Sequence, residues 1–134
     1  MTTAVDASVL IAYFDANDTH HDAAVNVLAE AVRDDLVASA MTIAELLVVP
    51  ARVGDDALRM AQEAFTRLEI GDEPFPEDAA VRLVRLRADS GLKMPDCCVL
   101  LAAETAGAET VATFDARLAK AARERGLEVA GIQA

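Results

Sequence analysis

Four acidic residues in this 134-residue chain stand where they could work together: Asp6, Glu45, Asp96 and Asp115. Asp6 interrupts an apolar opening, Thr3-Ala4-Val5-Asp6-Ala7-Ser8-Val9-Leu10-Ile11. The residues before it read as a buried strand and those after it as a helix. Its carboxylate therefore falls at the C-terminal end of a strand, where open α/β sheets bind ligands. The other three acids sit at similar joints. Carboxylates gathered in one pocket repel one another unless a cation joins them, and an all-oxygen donor set suits a hard divalent ion. Neither His20 nor His21 has a partner at metal-ligand spacing, which disfavours softer metals. Both histidines open a helix, where a solvated face is the expected role. The adjacent Cys97 and Cys98 suggest neither a zinc site nor a disulfide framework and are expected to pack as small apolar residues.

Each acid also has a purely structural explanation. Asp6 could cap the turn into the first helix, as could Ser8. Glu45 follows Thr42 by three residues, a capping-box spacing, unless that helix starts earlier at Ser39. Asp96 follows Pro95 in the first turn of an apolar helix, where the helix dipole favours a negative charge. Asp115 lies between a strand and a helix, a usual N-cap position. The four are less easily dismissed together, because the elements that carry them would meet at one edge of a sheet.

Those elements are read from alternating short β-like runs and longer helical patterns. Strands are expected at Thr3–Asp6, Leu36–Ala38, Arg67–Ile70, Thr110–Thr113 and Glu128–Ala130. Helices are expected at Ser8–Asp15, His21–Arg33, Ile43–Arg52, Asp56–Phe65, Glu77–Asp89, Asp96–Ala106 and Ala116–Arg125. In the helix near Glu77, Ala80, Leu83 and Val84 form an apolar stripe opposite Arg82 and Arg85. Strands separated by helices predict an α/β fold, with a short parallel sheet of four to five strands flanked by helices on both faces.

The composition is 54% hydrophobic, and the chain is expected to form one domain, residues 1–134, with a single sizeable core. No apolar run approaches the ~20 residues of a membrane-spanning helix. No secretory signal is visible at the N-terminus, and the cysteine usage fits a reducing cytoplasm. The net charge is −11, from 12 basic and 23 acidic residues. That balance argues against nonspecific nucleic-acid binding, so a nuclease of this composition would need a metal and local basic patches. Lys93 could touch a phosphate, and Arg82, Arg85, Arg117, Lys120 and Arg123 could line a binding face, although a charge-balanced surface is the default for them.

Val5-Asp6-Ala7-Ser8-Val9-Leu10-Ile11-Ala12, Thr42-Ile43-Ala44-Glu45-Leu46, Met94-Pro95-Asp96-Cys97-Cys98 and Thr113-Phe114-Asp115, in this order and spacing, resemble the PIN-domain pattern. Within it, the short chain resembles VapC-type toxins of toxin–antitoxin pairs. The resemblance covers essentially the whole sequence. It implies a Mg²⁺- or Mn²⁺-dependent endoribonuclease inhibited by a VapB-type antitoxin and commonly assembled as a homodimer. The family's acidic site maps onto Asp6, Glu45, Asp96 and Asp115, with Ser8 and Thr113 at supporting positions. Asp6 and Asp96 are expected to hold metal directly, and Asp115 to join the metal site. Glu45 would act through water, and the division of roles between Glu45 and Asp115 stays open.

Two readings from other classes compete. A phosphotransfer domain also places aspartates at strand ends, but the haloacid-dehalogenase-like pattern needs a second Asp where this chain has Ser8. A non-catalytic PIN-like binding module would use the acids only as caps and scaffold a basic partner.

Overall fold

The chain alternates strands and helices in a computed structural model that describes residues 1–132. Five strands, β1 (Thr2–Val5), β2 (Asp35–Ala38), β3 (Gly71–Asp72), β4 (Thr110–Ala112) and β5 (Glu128–Ala130), form one parallel sheet in the order β3-β2-β1-β4-β5. Thr3 pairs with Leu36 on one side and with Thr110 on the other, which puts β1 at the centre. Seven α-helices connect them: α1 (Ala7–Phe14), α2 (His21–Glu30), α3 (Ala40–Val53), α4 (Asp55–Arg67), α5 (Ala79–Ser90), α6 (Met94–Ala106) and α7 (Ala116–Glu124).

The two-residue period of the strands divides the core. Ala4, Val37, Val111 and Val129 face α5, α6 and α7, where they meet Leu86, Leu100, Leu101 and Leu118. Val5, Leu36, Ala38, Ala112 and Ala130 face the other way, against Val9, Leu10, Leu28 and Leu46 of α1 to α3. Helices thus cover both faces, as the parallel strands require. Helix α6 is buried along an unbroken run, Cys97 to Ala103, because it lies between the sheet and its helical neighbours. Cys97 and Cys98 are free thiols inside that run. Both are pushed up in pKa by burial, so they are packing residues rather than nucleophiles.

Three expectations are corrected. The segment Arg67–Ile70 is not a strand. Helix α4 runs on through Arg67, the chain turns at Glu69 in the left-handed region (φ 55°), and Ile70 is buried. Pairing with β2 begins only at Gly71. In α5 the buried face is Ala79, Leu83 and Leu86, whereas Val84 is 61% exposed. Arg82 lies beside that face and bonds Glu104 of α6 at 3.0 Å, so an ion pair, not an apolar contact, completes the packing there. The segment Ala31–Arg33, expected to end α2, is a 3₁₀ turn. The remaining elements match expectation to within three residues at each end, and β5 matches at both.

Candidate active site

Parallel strands all point their C-terminal ends to one edge, and the helices that follow begin there. Asp6 directly follows β1, Asp115 stands just beyond β4, and Asp96 lies in the first turn of α6. Glu45 lies in the second turn of α3, which packs against both α1 and α6. The electrostatics tie the four together. Asp96 is raised from its ordinary 3.8 to about 6, first by burial and then by the charges of Asp6 and Asp115; Lys93 and Arg117 oppose the rise. Glu45 is raised by burial and by the charges of Asp6 and Asp96. Like charges in a partly dry pocket make each ionisation harder.

Asp6 is the most enclosed of the four, at 5% exposure. It occupies the N-cap position of α1, yet its side chain makes no cap hydrogen bond. Its Oδ2 instead accepts the hydroxyl of Ser8 at 2.8 Å and that of Thr113 at 2.7 Å. Thr113 is fully buried and in turn accepts the backbone N–H of Asp115 at 2.9 Å. Ser8 accepts the N–H of Phe114 at 3.1 Å. Two hydroxyls therefore lock the β1–α1 turn to the β4–α7 turn through one carboxylate oxygen. No donor among the described residues meets Oδ1, and Asp6 makes no ion pair among them. A carboxylate this enclosed, without a cation from the protein, is suited to hold one from solution.

The other acids differ in how far their structural role absorbs them. Glu45 is not part of a capping box, because α3 begins at Ala40 and is capped by Ser39, whose Oγ accepts the N–H of Thr42. Asp96 is the third helical residue of α6, behind Pro95, while the N-cap position itself is held by Lys93. Asp115 does cap its helix: Oδ1 accepts the N–H groups of Arg117 at 2.8 Å and Leu118 at 3.2 Å. The purely structural role weighed for Asp115 is thus real, alongside its charge on Asp96.

The donor set is all oxygen and short of positive charge, which fits a hard divalent ion. Among the described residues, no three His, Cys, Asp or Glu side chains already converge closely enough to grip an ion by themselves.

Of the basic residues considered for a binding face, Arg117 and Lys93 bear on Asp96. Arg82 pairs with Glu104 and Asp78, Lys120 with Glu124, and Arg123 donates to the carbonyl of Ile132. His21 is not free either. Its Nδ1 lies 2.8 Å from the carbonyl oxygen of Ala12, which fastens α2 to α1. Sequence reasoning missed the stack of His20 on Phe114, since nothing in the local pattern links residues 94 positions apart.

A parallel α/β sheet with carboxylates at its C-terminal edge is shared by several classes of enzyme, and the similarity to known proteins narrows the choice. The PIN domain family profile matches residues 3–124, and the chain belongs to that family. It is 34% identical over 128 residues to Ribonuclease VapC26 of Mycobacterium tuberculosis, covering 91% of this chain and 93% of that one. Among solved structures, VapC20 of M. tuberculosis, a Sarcin-Ricin loop cleaving toxin, superposes with a TM-score of 0.74 at 18% identity, over 89% of this chain and 94% of the other. A toxin–antitoxin complex from Klebsiella pneumoniae gives 0.69 at 24% identity, over 84% and 86%.

Proposed function

We propose that this chain is an endoribonuclease and the toxin of a VapBC-type toxin–antitoxin pair, with residues 1–134 acting as one nuclease domain. The observation that carries the reading is the enclosed Asp6, held by Ser8 and Thr113 at the sheet edge and electrically coupled to Glu45 and Asp96. Membership of the PIN family and the ribonuclease relative support it. Asp6 and Asp96 would hold Mg²⁺ or Mn²⁺ directly. Asp115 would add its remaining oxygen, and Glu45 would act through water. When bound, the cation supplies the positive charge that a phosphodiester needs in an acidic pocket and lowers the pKa of an attacking water.

The protein's own contributions follow from the geometry. Ser8 and Thr113 fix the Asp6 carboxylate so that it need not reorganise. Lys93 and Arg117 are near enough to Asp96 for their charges to favour its ionised form, and they are the basic side chains that would meet a phosphate there. Asp115 holds the start of α7 while adding charge.

Beside the acids, a cleft of about 490 Å³ runs between α1, α3 and α4, lined by Ile11, Phe14, Val49, Pro50 and Met60, with Glu45 also on its wall. Its apolar walls and acidic member suit a small antitoxin chain that buries apolar side chains and extends an arginine toward the carboxylates. A homodimer is expected, and light scattering of the purified chain checks it. No helix among the described residues is long and apolar enough to cross a membrane, and two free cysteines fit a reducing cytoplasm.

The test is to map RNA 5′ ends after brief expression of wild type and Asp96→Asn, then repeat the cleavage with purified protein. Activity is expected with Mg²⁺ or Mn²⁺, to vanish with EDTA, and to leave a 5′-phosphate and a 3′-hydroxyl, because water rather than the ribose 2′-hydroxyl attacks. Full activity in EDTA, or a 2′,3′-cyclic phosphate product, would overturn the mechanism.

A further inference from the structure

The rim that carries the acids also carries an aromatic pair for which carboxylate chemistry has no use. Phe114 lies between Thr113 and Asp115, and its ring stacks on His20 with centroids 4.9 Å apart and planes 18° from parallel. His20 belongs to the α1–α2 connection and Phe114 to the β4–α7 turn, so the contact joins two loops at the edge where substrate would enter. Phe114 is held firmly. Its N–H donates to Ser8 Oγ, and that hydroxyl donates to Asp6 Oδ2, so the ring is two hydrogen bonds from the most enclosed carboxylate. Its ring also packs on the core cluster of α1 to α3. Gly131 passes so close that a Cβ there would lie 3.2 Å from the ring and 2.5 Å from the Thr113 carbonyl oxygen.

His20 is different. It is exposed, and its backbone N–H donates to Asp18 Oδ1, while its ring makes no hydrogen bond among the described residues. One face of the imidazole lies on Phe114, and the residue's exposure leaves the ring open to solvent. A flat ring, braced from behind beside the site, presents a surface for another flat ring.

The charge balance makes such a surface useful. The chain carries a net charge of −11, and Arg82, Lys120 and Arg125 are engaged by Glu104 or Glu124. Phosphate contacts alone give an acidic protein little hold on RNA. Stacking does not depend on net charge, and proteins read unpaired RNA largely through bases laid on aromatic rings. We infer that His20, backed by Phe114, is a stacking platform that seats an unpaired nucleobase beside the scissile phosphate. The inference rests on the ribonuclease reading and assigns His20 as a substrate-positioning residue.

The test uses RNA with single 2-aminopurines on either side of the mapped cut, titrated into Asp96→Asn so that it binds without being cleaved. Binding should quench the fluorophore at one of the flanking positions. His20→Ala in that background should lose the quench and bind on the order of tenfold more weakly, and His20→Phe should keep both. In the otherwise wild-type protein, His20→Ala should raise KM by a similar factor with kcat and Tm little changed. Equal quenching and equal KM in His20→Ala would overturn the platform, as would a loss confined to Tm and kcat, which would make the pair a brace between loops. If the wild type cleaves no RNA, the ribonuclease reading itself falls. If it cleaves and His20→Ala behaves like it, only the platform falls.

Discussion

Two turns of this molecule occupy equivalent positions and spend an aspartate differently. Asp6 and Asp115 each stand at the N-cap of a helix that follows a central strand. In the β4–α7 turn, the Asp115 carboxylate accepts two backbone N–H groups of its own helix. In the β1–α1 turn, the N–H groups of Val9 and Leu10 reach the Asp6 backbone carbonyl, at 3.2 and 3.4 Å, and the carboxylate turns to the hydroxyls of Ser8 and Thr113. An N-cap aspartate is left out of its own helix's cap when other donors claim its carboxylate first. Here the deciding donor is Thr113, which lies just beyond the neighbouring strand β4 and is wholly buried.

The sharpest way to break this contrast is Asp6→Asn. It should lower cleavage by more than about 100-fold, beyond what loss of a supporting partner costs, with little change in Tm. If Asp115→Asn, which preserves a capping oxygen, lowers the rate just as far, the two turns are functionally alike and the distinction fails.

Thr113→Val keeps the shape and removes the hydroxyl that joins the turns. Activity should fall roughly 10- to 100-fold through a loosened Asp6. Denaturant melts should show a loss of about 1–3 kcal/mol, because the Asp115 N–H loses its acceptor in a partly buried place. Unaltered activity would mean that Ser8 alone orients Asp6.

Asp115→Ala should cost about 1 kcal/mol of stability through the lost cap, and Asp115→Ser should recover most of it. The corresponding Asp6→Ala change removes no cap; its cost, about 1–3 kcal/mol, comes instead from the unpaired Ser8 and Thr113 hydroxyls, and Asp6→Asn, which keeps an acceptor oxygen, should recover most of it. Chemical denaturation of all four variants in EDTA separates the cases.

The smallest effect concerns Asp96 in metal-free protein. Its carboxyl ionises near 6 in the folded chain and near 3.8 in the unfolded one. Between those values the folded state retains a proton that the unfolded state has lost, so this group's contribution to stability declines as pH rises from about 4 to about 6. Above 6 the penalty is complete. Asp96→Asn should match wild type near pH 4 and exceed it at pH 7 by about 1 kcal/mol, after allowance for solvent screening. Excess Mg²⁺ should erase that advantage by binding only the wild type. A variant less stable at pH 7 would instead assign Asp96 a structural role at the start of α6.

Where single elements carried their own signals, the sequence was readable. The apolar run after Pro95 announced α6, and the short Thr3-Ala4-Val5 run before Asp6 announced β1. Helix α4 and β3 were misread at Arg67–Ile70 because two residues of edge pairing leave almost no periodicity, and an aliphatic pair at a helix end looks like a strand. Glu45 carried a capping-box spacing that the true helix start at Ser39 removes. In the α5 stripe Leu83 was placed correctly, but Ala79 and Leu86, not Ala80 and Val84, complete the buried face, beside which Arg82 is paired with Glu104, 22 residues later.

From sequence alone came the alternation that requires a parallel α/β layer, the placement of four acids at element ends, and the ordered motifs of the PIN family. These are local or periodic properties, and periodicity survives without coordinates. Tertiary structure alone decided which acids cap their own helices. Whether a carboxylate serves its own helix or faces a shared pocket depends on donors supplied by other strands, such as Thr113 reaching Asp6 across 107 positions. It depends as well on fields that Asp6 and Asp115 impose on Asp96 only once the sheet edge brings them together. Hydrogen bonds and charges act over a few ångströms, and sequence separation does not encode that distance.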